Sequence, residues 1–263
     1  MDALPYWRVD AFIAGGMLGN PAAVIECKRW PDDKAMAKIA RDSGGSATAF
    51  LVPDESGAAD WQIRWFGLGG EINLCGHATM ASAHMLLARS GSESVTFRTR
   101  QAGLLEAKAG EDLVELALPA IPTEPGEWPE VIASVGAQPS ALHRGDGGYC
   151  VLLFESEDEV RRLSPELGAI AELGNVQISC TAPGKNADAV SRVFTRTGGE
   201  DSVTGSAHAA MASLWCERLG RSEFSAIQAS QRGGAMQVRL EGERVWLSGR
   251  CATLIEGIYY LTG

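Results

Sequence analysis

A Gly-rich block occurs twice in this chain, and this repetition decides the predicted fold. The first copy reads Gly69-Gly70-Glu71-Ile72-Asn73-Leu74-Cys75-Gly76, and the second reads Gly198-Gly199-Glu200-Asp201-Ser202-Val203-Thr204-Gly205. Each copy is followed by an Ala-rich apolar run, which ends at Gly91 after the first copy and at Gly220 after the second. Self-similarity at a fixed spacing indicates a duplicated structural unit. We therefore predict two related halves, residues 1–118 and 127–263.

Hydrophobic periodicity gives the two halves the same order of elements. Short stretches rich in Val, Ile and aromatic residues predict strands. The apolar runs after the Gly-rich blocks predict helices over 77–88 and 206–218 that are buried on all sides. Three Pro and one Gly within 119–126 are typical of a linker. The predicted class is α+β, with two pseudo-twofold-related halves, each a curved, mostly antiparallel sheet around a central helix, and a ligand cleft between them.

Composition excludes several classes of function. The 263 residues carry a formal net charge of −10, and 45% of them are hydrophobic. An acidic chain is poorly suited to bind nucleic acid or an anionic membrane, and no apolar run is long enough to span a bilayer. The six Cys are widely separated and form no metal-ligand spacing, so we expect reduced thiols and no metal. The first residues lack the pattern of a secretion signal, so we expect a cytoplasmic protein.

The two predicted central helices begin at Gly76 and Gly205, directly after the Gly-rich blocks. The first N–H groups of a helix have no partner within the helix, and they carry the positive end of its dipole. Two such starts brought together would bind a small anion. We therefore predict a small carboxylate substrate, bound by Gly76, His77, Gly205 and Ser206.

Side chains that can transfer a proton cluster at the same two places. Cys75 and Thr204 hold matched positions immediately before the helices. His77 lies in the first turn of its helix, a location that favours the neutral imidazole. A Cys at a helix N-terminus can ionise near neutral pH. We predict Asp201, His77 and Cys75 as catalytic residues, with Thr204 as part of the anion site.

Five blocks of the chain resemble the PhzF family of phenazine-biosynthesis-like isomerases, and they follow the family order from residue 9 to residue 234. The resemblance implies the diaminopimelate-epimerase-like fold. It also implies an isomerisation that needs no cofactor and no metal, by proton transfer on a small cyclic hydroxy-amino acid. The blocks are Val9-Asp10-Ala11-Phe12, Gly19-Asn20-Pro21-Ala22-Ala23-Val24, Leu74-Cys75-Gly76-His77-Ala78-Thr79, Glu200-Asp201-Ser202-Val203-Thr204-Gly205-Ser206-Ala207-His208 and Gln231-Arg232-Gly233-Gly234.

Within this resemblance, a Glu performs the proton transfer, assisted by residues that correspond to Asp201 and His77. The Glu itself has no counterpart, because the family's Ser-Glu-Thr-Ala-Phe reads Ser46-Ala47-Thr48-Ala49-Phe50 here. A general base contributes about 10²–10⁴-fold to a rate, so this change bears directly on the activity. Ser46 and Asn20, from two of the matching blocks, are predicted to join the anion site.

The wider superfamily contains racemases with one Cys at each helix start. Cys75 matches the first of these, whereas Thr204, which does not titrate, stands in place of the second. This arrangement favours one-sided proton abstraction over racemisation. Three functions remain open: an isomerase whose base is Asp201, Cys75 or His77, a one-base dehydratase that uses Cys75, and a non-catalytic binder of small carboxylates. A homodimer is also left open.

Overall fold

The computed structural model describes residues 2–195 and 199–261, so Gly198 of the second Gly-rich block lies outside the described residues. The chain forms two compact units, residues 1–118 with 248–263, and residues 119–247. The second unit therefore differs from the predicted half, 127–263, at both ends. The C-terminal segment belongs to the first unit because Asp2–Ile13 pairs antiparallel with it, from Leu261 back to Arg250.

The first unit contains two helices, α1 (Asp33–Ser43) and α2 (Gly76–Ser90). Its strands are β1 (Asp2–Ile13), β2 (Asn20–Glu26), β3 (Ala47–Pro53), β4 (Trp61–Gly67), β5 (Gly70–Ile72), β6 (Ser94–Arg98), β7 (Leu104–Ala109) and β8 (Val114–Pro119). These eight strands pair antiparallel with one another, except that β2 and β3 pair in parallel, as do β4 and β6.

Helix α2 is the centre of the first unit. Most of its side chains are small or apolar, and it is buried from Gly76 to Ala83. It packs against β1, β2, β3, β6 and β7. The helix ends at Gly91, which adopts the left-handed conformation with φ 68° and donates its N–H to the carbonyl of Leu87. The predicted buried helix over 77–88 is thus confirmed.

The second unit contains α3 (Pro129–Val135), α4 (Glu157–Arg162), α5 (Leu167–Glu172) and α6 (Gly205–Leu219). Its parallel pairs are β11 with β12 and β13 with β15. Its strands are β9 (Glu124–Pro125), β10 (Ala141–Arg144), β11 (Tyr149–Leu153), β12 (Gln177–Pro183), β13 (Ala189–Thr195), β14 (Gly199–Asp201), β15 (Glu223–Gln228) and β16 (Gly234–Glu241). A final strand, β17 (Arg244–Leu261), begins in this unit and ends in the first.

The same ion pair stabilises a hairpin in each unit. Arg64 donates to both carboxylate oxygens of Glu71 at 2.7 Å. Arg192 donates to both oxygens of Glu200 at 2.7 and 2.9 Å. The two Glu residues lie at matched positions of the Gly-rich blocks, which supports the duplication.

A second shared contact joins the residue just before the first strand of each hairpin to the strand after each central helix. Asp60 accepts hydrogen bonds from the N–H and the hydroxyl of Thr96, whose hydroxyl accepts from the N–H of Asp60. Asp188 and Ser225 make the same three contacts in the second unit.

The mostly antiparallel strands and central helices confirm the predicted α+β class. In the described ranges, no helix has the length and hydropathy to cross a membrane.

Candidate active site

Cys75 and His77 lie together at the N-terminus of α2. Cys75 is the N-cap residue, with φ −134° and ψ 93°, and its side chain makes no capping hydrogen bond. Its Sγ atom instead lies 3.5 Å from Nδ1 of His77. Both side chains are buried, with exposed fractions of 6% and 7%. Thr79 donates the first intrahelical hydrogen bond, to the carbonyl of Cys75 at 3.1 Å, so the N–H groups ahead of it lie outside the helical ladder.

The other ring nitrogen of His77 contacts a polar pair from the neighbouring strands. Nε2 lies 2.9 Å from the hydroxyl oxygen of Ser46. That hydroxyl lies 2.6 Å from Oδ1 of Asn20 and 3.1 Å from the carbonyl of Pro21. Asn20 is fully buried. His77 is therefore held at both ring nitrogens.

The backbone brings Asn20 and Ser46 side by side. Strands β2 and β3 run in parallel with Ala22 opposite Ala47, so both polar residues lie at the same end of the pair. Gly19 precedes β2 with φ +68°, and a Cβ atom there would lie 2.2 Å from the carbonyl oxygen of Ala11. Only glycine fits this close approach, which directs the chain into β2 at Asn20.

The N-terminus of α6 has the same backbone shape and different chemistry. Thr204 is the N-cap residue, with φ −119° and ψ 102°, and it also makes no capping side-chain bond. Its hydroxyl donates to Oδ2 of Asp201 at 2.6 Å, and the N–H of Ser202 donates to Oδ1 at 2.9 Å. Both oxygens of Asp201 thus accept hydrogen bonds from this loop.

Gln228, which the sequence analysis missed, holds this loop from β15. It is fully buried, and its Oε1 accepts from the N–H of Thr204 at 2.8 Å. Its Nε2 donates to the carbonyl of Asp201 at 2.7 Å and lies 3.2 Å from the Thr204 hydroxyl. The alternation of β15 contained the signal, because it places Gln228 on the same buried face as Phe224 and Ala226.

Gln177 and Tyr149, which the sequence analysis missed, both contact Ser206 in the first turn of α6. Ser206 donates to Oε1 of Gln177 at 3.2 Å. Burial raises the pKa of Tyr149, and a hydrogen bond with Ser206 partly offsets that rise. The Nε2 atom of Gln177 is buried and has no hydrogen-bond partner among the described residues.

His208 is fully buried one turn into α6. Its Nδ1 lies 2.8 Å from the carbonyl of Thr204, and its Nε2 lies 3.3 Å from the hydroxyl of Ser191. Burial lowers the pKa of this imidazole to about 4, and the bond to Thr204 opposes that shift. His208 therefore remains neutral at physiological pH and supports the helix start from inside.

Comparison with known proteins identifies the family. The family model described as phenazine biosynthesis-like protein matches residues 9–257. An uncharacterized isomerase of Pseudomonas aeruginosa is 39% identical over 259 residues, which cover 97% of each chain. This chain belongs to the PhzF family of phenazine biosynthesis-like proteins. The crystal structure of a PhzF family protein from Enterococcus faecalis matches with a TM-score of 0.87 and 32% identity, over 99% of this chain and 100% of that one.

The PhzF fold extends to a wider group of epimerases. A hydroxyproline epimerase from Agrobacterium vitis, solved with trans-4-hydroxy-L-proline, matches with a TM-score of 0.68 over 97% of this chain and 92% of that one. Its identity is 15%, so the likeness shows the fold alone. The predicted epimerase-like fold is confirmed.

The PhzF blocks supply two groups of predicted site residues, one in each unit. Asp201, Thr204, Gly205 and Ser206 lie together in the second unit, and the first unit brings together Asn20, Ser46, Cys75, Gly76 and His77. A single anion pocket that uses both groups stays a prediction. Across residues 2–195 and 199–261, no three His, Cys, Asp or Glu side chains cluster as metal ligands would. The predicted absence of a metal and of a cofactor also stays a prediction.

Proposed function

We propose that this PhzF protein is a cofactor-independent isomerase that moves a proton on a small carboxylate-bearing metabolite, with Cys75 and His77 as its acid–base pair. The observation that supports this most directly is the 3.5 Å contact between Sγ of Cys75 and Nδ1 of His77. A nucleophilic or basic atom next to a His, which is itself oriented by a third group, is the usual geometry of an activated side chain.

The pair can complete a proton shift by itself. The thiol proton passes to Nδ1 of His77, and the Cys75 thiolate then removes a proton from a carbon next to an electron-withdrawing group. The imidazolium of His77 returns a proton to a different carbon of the resulting carbanion. Cys75 is then a thiol and His77 a neutral imidazole, as at the start, so no proton is gained or lost. Because both groups lie on one side of the substrate, the shift occurs on one face.

The start of α2 provides the electrostatic part of the site at Cys75 and His77. The N–H groups that precede Thr79 in α2 form the positive end of the helix dipole, and this end lies next to Cys75. In α6, the first intrahelical bond runs from the N–H of His208 to the carbonyl of Thr204 at 3.3 Å, which leaves the same set of N–H groups ahead of it. Such groups favour a substrate carboxylate and the negative charge that develops when a carbon is deprotonated.

Two observations support Cys75 as the base over the positions expected from the resemblance. The family's proton-transferring Glu corresponds to Ala47, which has no titratable group and is 1% exposed. Both oxygens of Asp201 already accept hydrogen bonds from its own loop, so they are engaged in holding the start of α6. We assign Asp201 the role of fixed negative charge and hydrogen-bond acceptor at the α6 start.

A second candidate is a protein that binds a small carboxylate without converting it. Ala47 favours this function, because the change removes the carboxylate and leaves both helix starts in place. A dehydratase that uses the Cys75 thiolate as its one base would also fit the pair. The two enzymatic functions share the abstraction step and differ only in whether a hydroxyl leaves.

Proton exchange with solvent tests the proposal without knowledge of the natural substrate. The purified protein is incubated in D₂O with panels of amino acids and hydroxy acids, and mass spectrometry detects deuterium at carbon. We expect exchange with the wild type, loss of exchange in Cys75→Ala and His77→Asn, and unchanged exchange in Cys216→Ala, which removes a buried thiol near the far end of α6. Loss of water from a hydroxy acid would identify the dehydratase.

Two results would contradict the proposal. Exchange that persists in Cys75→Ala would place the base elsewhere. Thermal stabilisation by a carboxylate, with no exchange for any compound that stabilises the protein, would favour the binding function instead.

A further inference from the structure

We infer that Ser46, supported by Asn20, sets the tautomer of His77 and so directs the lone pair of Nδ1 toward Cys75. This inference rests on the proposed function for its consequence, and on the hydrogen bonds of the first unit for its evidence. Ser46 is a positioning residue, because it acts on the reacting pair through the imidazole.

The direction of the Ser46 hydroxyl follows from its neighbours. A hydroxyl has one hydrogen to donate, and Ser46 lies within hydrogen-bond distance of Oδ1 of Asn20, the carbonyl of Pro21 and Nε2 of His77. The first two atoms are oxygens that only accept. If the hydrogen pointed at His77, the Ser46 oxygen would face Oδ1 of Asn20 at 2.6 Å with no hydrogen between them. The hydrogen therefore points to Asn20.

The tautomer of His77 follows from that direction. The Ser46 oxygen has already given its hydrogen to Asn20, so at 2.9 Å from Nε2 it can only accept. Nε2 must then carry the proton of the neutral imidazole, and Nδ1 carries the lone pair. Nδ1 is the nitrogen 3.5 Å from the Cys75 thiol. The tautomer that Ser46 selects is therefore the one that can take the thiol proton.

His208 provides a contrast inside the same chain. Its Nδ1 lies 2.8 Å from the carbonyl of Thr204, which only accepts, so Nδ1 carries the proton. Its Nε2 then accepts from the hydroxyl of Ser191 at 3.3 Å. Two serines thus accompany opposite tautomers, because their own hydrogens go to different partners. The chain contains four His, which keeps their signals easy to assign.

Ser46 is suited to substitution. The residue is exposed and precedes β3, so its replacement should leave the buried strand intact. Asn20 is fully buried, and its loss would still leave the carbonyl of Pro21 as an acceptor for the Ser46 hydrogen. We therefore expect a large effect from Ser46→Ala and a smaller one from Asn20→Ala.

The test is ¹⁵N NMR of protein labelled at His, recorded without substrate as the pH is raised until His77 is neutral. We expect the Nε2–H tautomer for His77 and the Nδ1–H tautomer for His208. Ser46→Ala should move His77 toward the Nδ1–H form, whereas Ser46→Thr should keep the wild-type spectrum. Ser82→Ala removes a buried hydroxyl of α2 that donates to the carbonyl of Ala78, and it should change neither tautomer.

A parallel measurement reads the thiol itself. Iodoacetamide alkylates thiolates, so the rate at Cys75, followed by peptide mass spectrometry, reports how readily His77 takes its proton. We expect about a tenfold slower rate in Ser46→Ala and about twofold in Asn20→Ala, since a hydrogen bond of ordinary strength changes an equilibrium by up to about this factor.

An Nδ1–H tautomer for neutral His77 in the wild type, or an unchanged spectrum and alkylation rate in Ser46→Ala, would overturn the inference. This failure is separate from failure of the proposed function. The tautomer is measured without turnover, whereas the proposed function fails if solvent exchange survives Cys75→Ala.

Discussion

The hydroxyl of Thr204 donates to Oδ2 of Asp201 at 2.6 Å, so the residue that occupies the second Cys position has a structural partner of its own. We expect Thr204→Val, which keeps the shape and removes the hydroxyl, to destabilise the protein by about 1–3 kcal/mol. It leaves a carboxylate oxygen of Asp201 and Nε2 of Gln228 each with one partner fewer. Thr204→Ser, which keeps the hydroxyl, should lose less than about 1 kcal/mol in urea unfolding. Equal losses for the two variants would contradict the assignment.

Burial of His208 predicts a dependence of stability on pH. Its pKa in the folded protein is about 4, below its ordinary value of 6.5, because burial disfavours the imidazolium. The unfolded chain therefore binds the proton first as the pH falls. The stabilising contribution is complete above about pH 6.5, decreases between that pH and about 4, and is then lost, amounting to about 3 kcal/mol.

His208→Gln removes this dependence while leaving the carboxylates of the protein in place. The difference in unfolding free energy between wild type and variant, measured from pH 4 to pH 7, should therefore shrink as the pH falls. A constant difference for His208→Gln would show that the imidazole is not held neutral.

The matching hairpins predict that Glu71 and Glu200, which are far apart in the sequence, contribute similarly to the stability of the fold. Arg64 is buried and Arg192 is partly buried, with 5% and 14% of their side chains exposed, and each donates two hydrogen bonds to one Glu. Glu71→Ala and Glu200→Ala should each cost about 2 kcal/mol, because a largely buried guanidinium loses two charge-assisted hydrogen bonds. Each guanidinium keeps only its remaining acceptors, Asp33 for Arg64 and backbone carbonyls for Arg192. Glu241→Ala breaks a pair of similar length, 2.6 Å, between exposed side chains and should cost less than about 0.5 kcal/mol. Similar losses in all three would contradict this ranking.

The two central helices were predictable because their composition leaves no alternative. An all-apolar run after a Gly turn is stable in water only if it is buried, and both α2 and α6 are. Strand β17 was harder to predict, because Leu254, Ile255 and Ile258 are apolar but exposed, and they disrupt the alternation of apolar and polar residues expected of a strand. Local periodicity therefore predicts only two short pieces of it, 245–248 and 258–261. Its pairing with β1 joins the two ends of the chain, and such a long-range contact cannot be predicted from the local periodicity of the sequence.

The site residues also divide into those that the local sequence predicts and those that depend on contacts between distant parts of the sequence. Cys75 and His77 are neighbours in the sequence, so their contact follows from the helix start. The contact of Ser46 with His77 could not be read from strand periodicity, because Ser46 precedes β3, which begins at Ala47. Gln228 meets the α6 start through strand pairing and could be found only as a polar residue on a buried face.

Ala47 offers the most direct test of how this chain departs from the PhzF pattern. We expect the wild type to convert dihydro-hydroxyanthranilate, the phenazine precursor, at best slowly, because the expected carboxylate is missing. Ala47→Glu should restore part of that activity. Restoration should be partial because Ala47 is 1% exposed, so the added side chain must displace its neighbours at a cost of about 1–3 kcal/mol in stability.

The comparison that isolates the carboxylate is Ala47→Glu against Ala47→Gln, since Gln has the same size and cannot transfer a proton. Turnover in Ala47→Glu should exceed that in Ala47→Gln by at least about tenfold, a small part of what a well-placed base contributes. Thermal unfolding of both variants shows whether each remains folded. Rapid wild-type turnover would mean that the Cys75–His77 pair or another group already serves this substrate. Equal, negligible turnover in two folded variants would mean that the surrounding pocket has diverged as well, and that the change at position 47 accompanies a change of substrate.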